Sequence, residues 1–207
     1  PARGGGRFSV RSPVGLFPAA LLGIDIAALL DGARAAEAAC RGGIDRNPAA
    51  LAAAVHTGLY RRGAVMTVMM PYASALADLA DWFRQLWAES LGKRLAEDGR
   101  EVFLGQTPVK ALGSTDQHSQ VQLYAEGPAD KMYTFLRVLK HGRDITVPPD
   151  PWGEDALGYL GGHTAGRILD ALFQGTREAL CAAGRPLAVV TLDEVCPGTI
   201  GALFMFF

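Results

Sequence analysis

Glu89 stands in FRQLWAESLGK (83–93), where Leu76, Leu79, Trp82, Phe83 and Leu86 form an apolar stripe that predicts a helix with this acid in its last turn. The C-terminal end of a helix carries partial negative charge, so a carboxylate there is disfavoured by about 0.3–1 kcal/mol. Gln85 lies one turn before Glu89, and both are expected at the margin of the stripe, beside bulky aromatics. A carboxylate half sunk in that setting holds its proton more readily, which suits a general base working near neutrality. The plainer alternative is a solvated helix-end glutamate with no chemical task.

Two further residues could serve such a base. His118, in GSTDQHSQVQLY (113–124), sits near a polar turn and could act as acid or base near neutral pH, or simply fill the first turn of a helix. Arg7 follows consecutive glycines in GGGRFSV (4–10), where a ligand could approach the backbone and meet a fixed cation. A flexible terminus with no such function reads equally well. GGHTAG (161–166) fits neither GxGxxG nor GxxxxGK[ST], and reads as a turn packed closely against a helix start. His56, His141 and His163 show no partner spacing, and neither a nucleophile elbow nor a metal-ligand cluster occurs, so no metal and no cofactor are expected.

The elements that must position these groups follow from 207 residues with a formal net charge of -1, 49% of them hydrophobic and 20% charged. That composition suits one soluble domain or a large half of a larger protein, with no basic face for nucleic acid and no polybasic membrane patch. The apolar run 14–30 is broken by Pro18, Gly23 and Asp25, so it does not read as a membrane span. Cys40, Cys181 and Cys196 are few and far apart, which points to a reduced, cytoplasmic protein. The opening PARGGG and the closing TIGALFMFF read as an excerpt of a longer polypeptide.

Helices are predicted after the Ser12 and Asn47 positions, over 24–42, over 74–93, from about Asp116 to Ala125, from Leu160 to Ala183, and after CPGTI. Strands are expected in AVMTVMMPY, TFLRVL, DITVP and PLAVVTL, and a short strand or turn in TPVKALG, with a proline-rich loop at 148–155. Alternation of this kind indicates an α/β domain with a largely parallel sheet, in which ligands bind at the carboxyl ends of strands.

Taken together, GGRFSVRSPVG, FRQLWAESLGK and GSTDQHSQVQLYAEG resemble the phosphoglucose isomerase family, in the family's order. The resemblance extends through NPAALAAAVHTGLYRRG and DITVP to GALFMFF. It implies a flavodoxin-like, three-layer α/β/α sugar-isomerase domain with about five strands, residues 1–207 forming the second such domain of the protein. It also implies interconversion of glucose 6-phosphate and fructose 6-phosphate without metal or organic cofactor. By position, Glu89 matches the general base that moves a proton between C2 and C1 through a cis-enediol. His118 matches a histidine that assists ring opening and reaches the site from the other subunit of a homodimer. Arg7 matches the arginine near the enediolate, and Gln85 a substrate-contacting glutamine. A cation at such a position typically stabilises the transition state by about 2–4 kcal/mol.

The resemblance has gaps. Gly4 stands where the family usually carries an aliphatic residue, and the family's lysine, in Q-x-GVE-x-x-K, has no counterpart in these residues. The main phosphate-binding serines and threonines belong to the family's first domain. The isolated chain is therefore expected to be inactive, and a non-catalytic sugar-phosphate-binding or dimerisation module of the same fold is the alternative. The three positions Arg7, Glu89 and His118 occurring together favour the isomerase.

Overall fold

The computed structural model describes residues 6–149, 153 and 155–207. Gly4 and Gly5 of the glycine run, and residues 150–152 and 154 of the proline-rich loop, lie outside them. A short 3-10 segment, Gly6–Arg11, precedes α1 (Pro13–Leu21), α2 (Ile26–Ala39) and α3 (Pro48–Arg61). The side chains of Ser12, Asp25 and Asn47 accept backbone N–H bonds at the starts of these helices, and Pro at the first helical position opens α1 and α3. Then follow β1 (Met66–Pro71), α4 (Ala77–Leu91), β2 (Lys93–Leu95), β3 (Glu101–Leu104), β4 (Thr107–Lys110) and α5 (Gln117–Glu126). The chain ends with β5 (Lys131–Lys140), α6 (Ala165–Ala182), β6 (Leu187–Glu194) and α7 (Pro197–Phe206).

The chain divides into two compact units, residues 1–62 with 195–207, and residues 63–194. In the first, α2 and α7 pack with their backbones almost touching. A Cβ at Gly32 would stand 1.8 Å from the Gly198 carbonyl oxygen, and one at Gly201 would stand 1.8 Å from that of Leu29. Only glycine permits so close an approach.

The second unit is built on a four-stranded parallel sheet in the order β4-β1-β5-β6, the order of a flavodoxin-like domain. Every residue of β1 after Met66 is buried, as expected of a strand covered on both faces. Val68, Met70, Tyr133 and Phe135 from the sheet meet Tyr124 of α5 and Phe173 and Leu180 of α6 in one core. At the outer edges, β4 has four residues with Pro108 second among them, whereas β6 has eight, and no described strand pairs with its far side.

At the carboxyl end of β1, the buried Tyr72 ring packs edge-on to Phe135 and Phe173, with centroids at 5.7 and 5.2 Å. A Cβ added at Gly113 would lie 2.5–2.7 Å from three carbons of that ring. Since the ring has no room to retreat, Gly113→Ala is expected to destabilise the fold by about 1–3 kcal/mol. A urea midpoint unchanged from wild type would contradict this packing.

The parallel α/β architecture agrees with the sequence reading, but four strands stand where about five were expected. DITVP is not a strand. It contributes one antiparallel bridge, Thr146 to Thr164, because Pro148 and Pro149 lack the N–H groups that would continue a ladder. The helix expected from Leu160 begins at Ala165, after a turn through Gly162 at φ 77°, with Thr164 as its N-cap. GGHTAG is thus the close turn against a helix start that its residues suggested. RLAEDGREVFL (94–104), left unassigned by the sequence reading, forms the antiparallel hairpin β2–β3 together with Lys93, which was expected to end the helix that stops at Leu91.

Candidate active site

Gln85 and Glu89 both stand on α4. Its buried side is Leu79, Ala80, Phe83 and Leu86, and the Phe83 and Trp87 rings lie 5.0 Å apart. Gln85 and Glu89 are set roughly 100° or more around the helix from the centre of that side, and both are exposed. Glu89 is therefore not half sunk beside the aromatics, as its position in the stripe had suggested. The expected pairing does form, since Gln85 Nε2 donates to Glu89 Oε1 at 3.0 Å across one turn. Glu89 lies in the last turn of α4, where no basic residue offsets the carbonyl end, and Gly92 closes the helix by donating its N–H to Ala88 at 3.0 Å.

The direction of α4 locates that last turn. Lys110, at the carboxyl end of β4, pairs with Asp81 near the start of α4. At the other end, a Cβ on Gly105, just before β4, would lie 3.1 Å from Gly92 Cα. Hence α4 runs antiparallel to the sheet, and Glu89 lies at the amino edge of the strands, not at the carboxyl edge where ligands of such folds were expected.

His118 is exposed in the first turn of α5, which follows β4 and so begins at the carboxyl edge. The two edges are separated by roughly the length of α4, whose fifteen residues span about 20 Å. Glu89 and Gln85 are brought together within one chain, whereas His118 is held away from them. Arg7 belongs to the first unit, in the segment Gly6–Arg11, with its guanidinium carbon 5.6 Å from the Phe8 ring centroid.

The sequence reading missed the residues that fix His118. Gln117 Nε2 donates to the Leu172 carbonyl at 3.1 Å and to Thr176 Oγ1, anchoring the start of α5 to α6. The Asp116 carboxylate accepts the Leu112 N–H at 2.7 Å and the Ser119 hydroxyl at 2.7 Å. The Asp-x-x-Ser spacing at 116–119 was the available signal.

Burial alone would push the Asp116 carboxyl up, but donation from Ser119, the Leu112 N–H and Gln120 outweighs it and holds the group below the ordinary carboxylate range. A lowered native value means that the stabilisation is complete above the unfolded pKa of about 3.9 and is lost as pH falls through the native value. Urea midpoints are thus expected to fall below about pH 4, less steeply in Asp116→Asn. Equal slopes for the two proteins would refute this coupling.

The phosphoglucose isomerase family model matches residues 3–145. The chain belongs to that family. A glucose-6-phosphate isomerase of Carboxydothermus hydrogenoformans is 52% identical over the whole chain, which covers 45% of that protein. One from Rubrobacter xylanophilus is 48% identical over 98% of the chain and 45% of its own length. The chain thus spans somewhat under half of these family members. A crystal structure of a hypothetical protein from Thermus thermophilus superposes with a TM-score of 0.87 at 38% identity, covering 98% of this chain and 48% of that one. A glucose-6-phosphate isomerase of Chlamydia trachomatis shares the fold, with a TM-score of 0.78 at 23% identity over 98% of this chain and 40% of that one.

Proposed function

We propose that this chain is the second sugar-isomerase-type domain of a protein that interconverts glucose 6-phosphate and fructose 6-phosphate. Glu89 takes the C2 proton of the open-chain aldose and returns it to C1 through a cis-enediol, while the proton of the C2 hydroxyl passes to O1. The reaction relocates protons and a carbonyl within one molecule, so it balances without an oxidant or reductant. Gln85 orients the carboxylate through its 3.0 Å hydrogen bond and contacts substrate, and Arg7 offsets the negative charge of the enediolate.

The observation that carries this reading is the separation of Glu89 and His118 on opposite edges of one sheet. Two exposed groups that act on one sugar cannot do so from one copy. In a homodimer, however, the His118 edge of one subunit can complete the Glu89 edge of the other, with His118 assisting ring opening. Family membership supports a hexose phosphate as substrate. The three cysteines are free, which supports assignment to the cytoplasm.

The test is an assay of the whole protein containing this chain, with fructose 6-phosphate as substrate and glucose 6-phosphate withdrawn by a coupled dehydrogenase. Turnover is expected from the whole protein and none from the 207-residue chain. A whole protein that binds the sugar phosphate without turning it over would overturn the isomerase reading.

A further inference from the structure

A cavity of about 420 Å³ opens at the carboxyl end of β5, wholly within the second unit. Its walls come from the end of β5 (Arg137, Lys140), the following loop (His141, Asp144) and the first turns of α6 (Arg167, Asp170). None of these residues belongs to the Glu89 or His118 sites, and the GGHTAG turn that shapes one wall has no part in the proposed isomerisation. We propose that this cavity is an anion site that takes a phosphate group, either free or as a monoester.

The charges sort into spent and available ones. Arg137 is spent, since its Nε and Nη2 donate to the two Asp170 oxygens at 2.7 and 3.0 Å while its guanidinium lies 5.3 Å from the Phe173 ring centroid. Asp144 is also occupied. It accepts the Gly166 N–H at 2.8 Å and the Ile145 N–H at 3.0 Å, and these donors with the Thr164 hydroxyl hold its carboxyl below the ordinary range. The N-terminus of α6 is therefore already capped by Thr164 and Asp144 and is not itself the anion binder.

Lys140 and Arg167 remain. Neither makes a side-chain ion pair or hydrogen bond among the described residues, and both line the same cavity, as does His141 beside Asp144. Three cations, Arg137, Lys140 and Arg167, stand against two carboxylates, Asp144 and Asp170, so the lining carries a net positive charge. Two cations from separate elements can grip separate oxygens of one tetrahedral oxyanion, for which a guanidinium is well matched. Gly166 keeps the floor open, because a Cβ there would stand 2.7 Å from His141 Cδ2 and 2.8 Å from Asp144 Oδ2.

The experiment titrates inorganic phosphate, and in a second arm glycerol 3-phosphate, into the full chain at low ionic strength, followed by phosphorus NMR. Saturable binding is expected, weakened about tenfold or more in Lys140→Ala/Arg167→Ala by loss of two charge-assisted contacts. Arg177→Ala, further along α6 and outside the cavity, should bind like wild type, and the charge-conserving Lys140→Arg/Arg167→Lys should keep most of the affinity. Tighter binding of glycerol 3-phosphate identifies a phosphorylated metabolite as the occupant, and equal binding identifies free phosphate. Absence of saturation in the wild type by about 10 mM overturns the site. So does equal loss in Arg177→Ala, which would reveal a diffuse surface-charge effect.

Discussion

Glu89→Gln in the whole protein is expected to lower kcat by roughly a thousandfold, the usual scale for removing a positioned general base. Gln is nearly isosteric, and its amide oxygen can still accept the hydrogen bond that Gln85 Nε2 now gives to Glu89 at 3.0 Å. Geometry and sugar-phosphate binding should therefore survive, while the group that must take a proton from carbon no longer can. The loss should fall on kcat, with KM changed little, because the missing interaction belongs to the transition state. Turnover above a few per cent of wild type would remove Glu89 from this role.

A mixture of two inactive proteins is expected to regain activity. When Glu89→Gln and His118→Ala subunits are co-folded in equal amounts, about half of the dimers are mixed, and each mixed dimer has one site with both residues intact. That site takes Glu89 from one subunit and His118 from the other, and the second site carries both substitutions. Random pairing thus restores about one quarter of the wild-type sites from two preparations that are each nearly silent. If the two residues acted within one subunit, every site would carry a substitution and the mixture would stay inactive. The placement of α4 and α5 at opposite edges argues for recovery.

Much of the fold could be read before any coordinates because its signals are local. Ser12, Asn47 and their following prolines mark helix starts, and MTVMMP is apolar throughout because both faces of β1 are covered. The i,i+4 relation of Gln85 and Glu89 is likewise local, and it led to the correct hydrogen bond. Depth was harder to read. The stripe seemed to reach Glu89, yet Leu79, Ala80, Phe83 and Leu86 set its true centre and leave the acid outside.

The edge on which each group stands follows from chain order, because a helix that leaves a parallel strand begins at the carboxyl edge and ends at the amino edge, which sets Glu89 in the last turn of α4 opposite His118 in the first turn of α5. Gln117 was missed because its partners Leu172 and Thr176 come near only once α5 has packed on α6, whereas the partners of Asp116, Leu112 and Ser119, are local and were signalled by the Asp-x-x-Ser spacing. DITVP misled because its first residues favour a strand while its own Pro148 and the following Pro149 forbid one. The hairpin β2–β3 was signalled by Asp98-Gly99, a favoured turn pair, but its strands are short and mostly exposed, so they show little alternation.

The unlike borders of the sheet give the second unit a sticky side and an inert one. At β4, Pro108 offers no N–H and the strand is only four residues long, so another chain finds little to zip onto. At β6, eight residues rich in Val, Leu and Ala present a row of backbone donors and acceptors that no described strand fills. A detached copy of this unit would thus be most prone to self-association along β6, and solubility engineering should begin with charges on that strand.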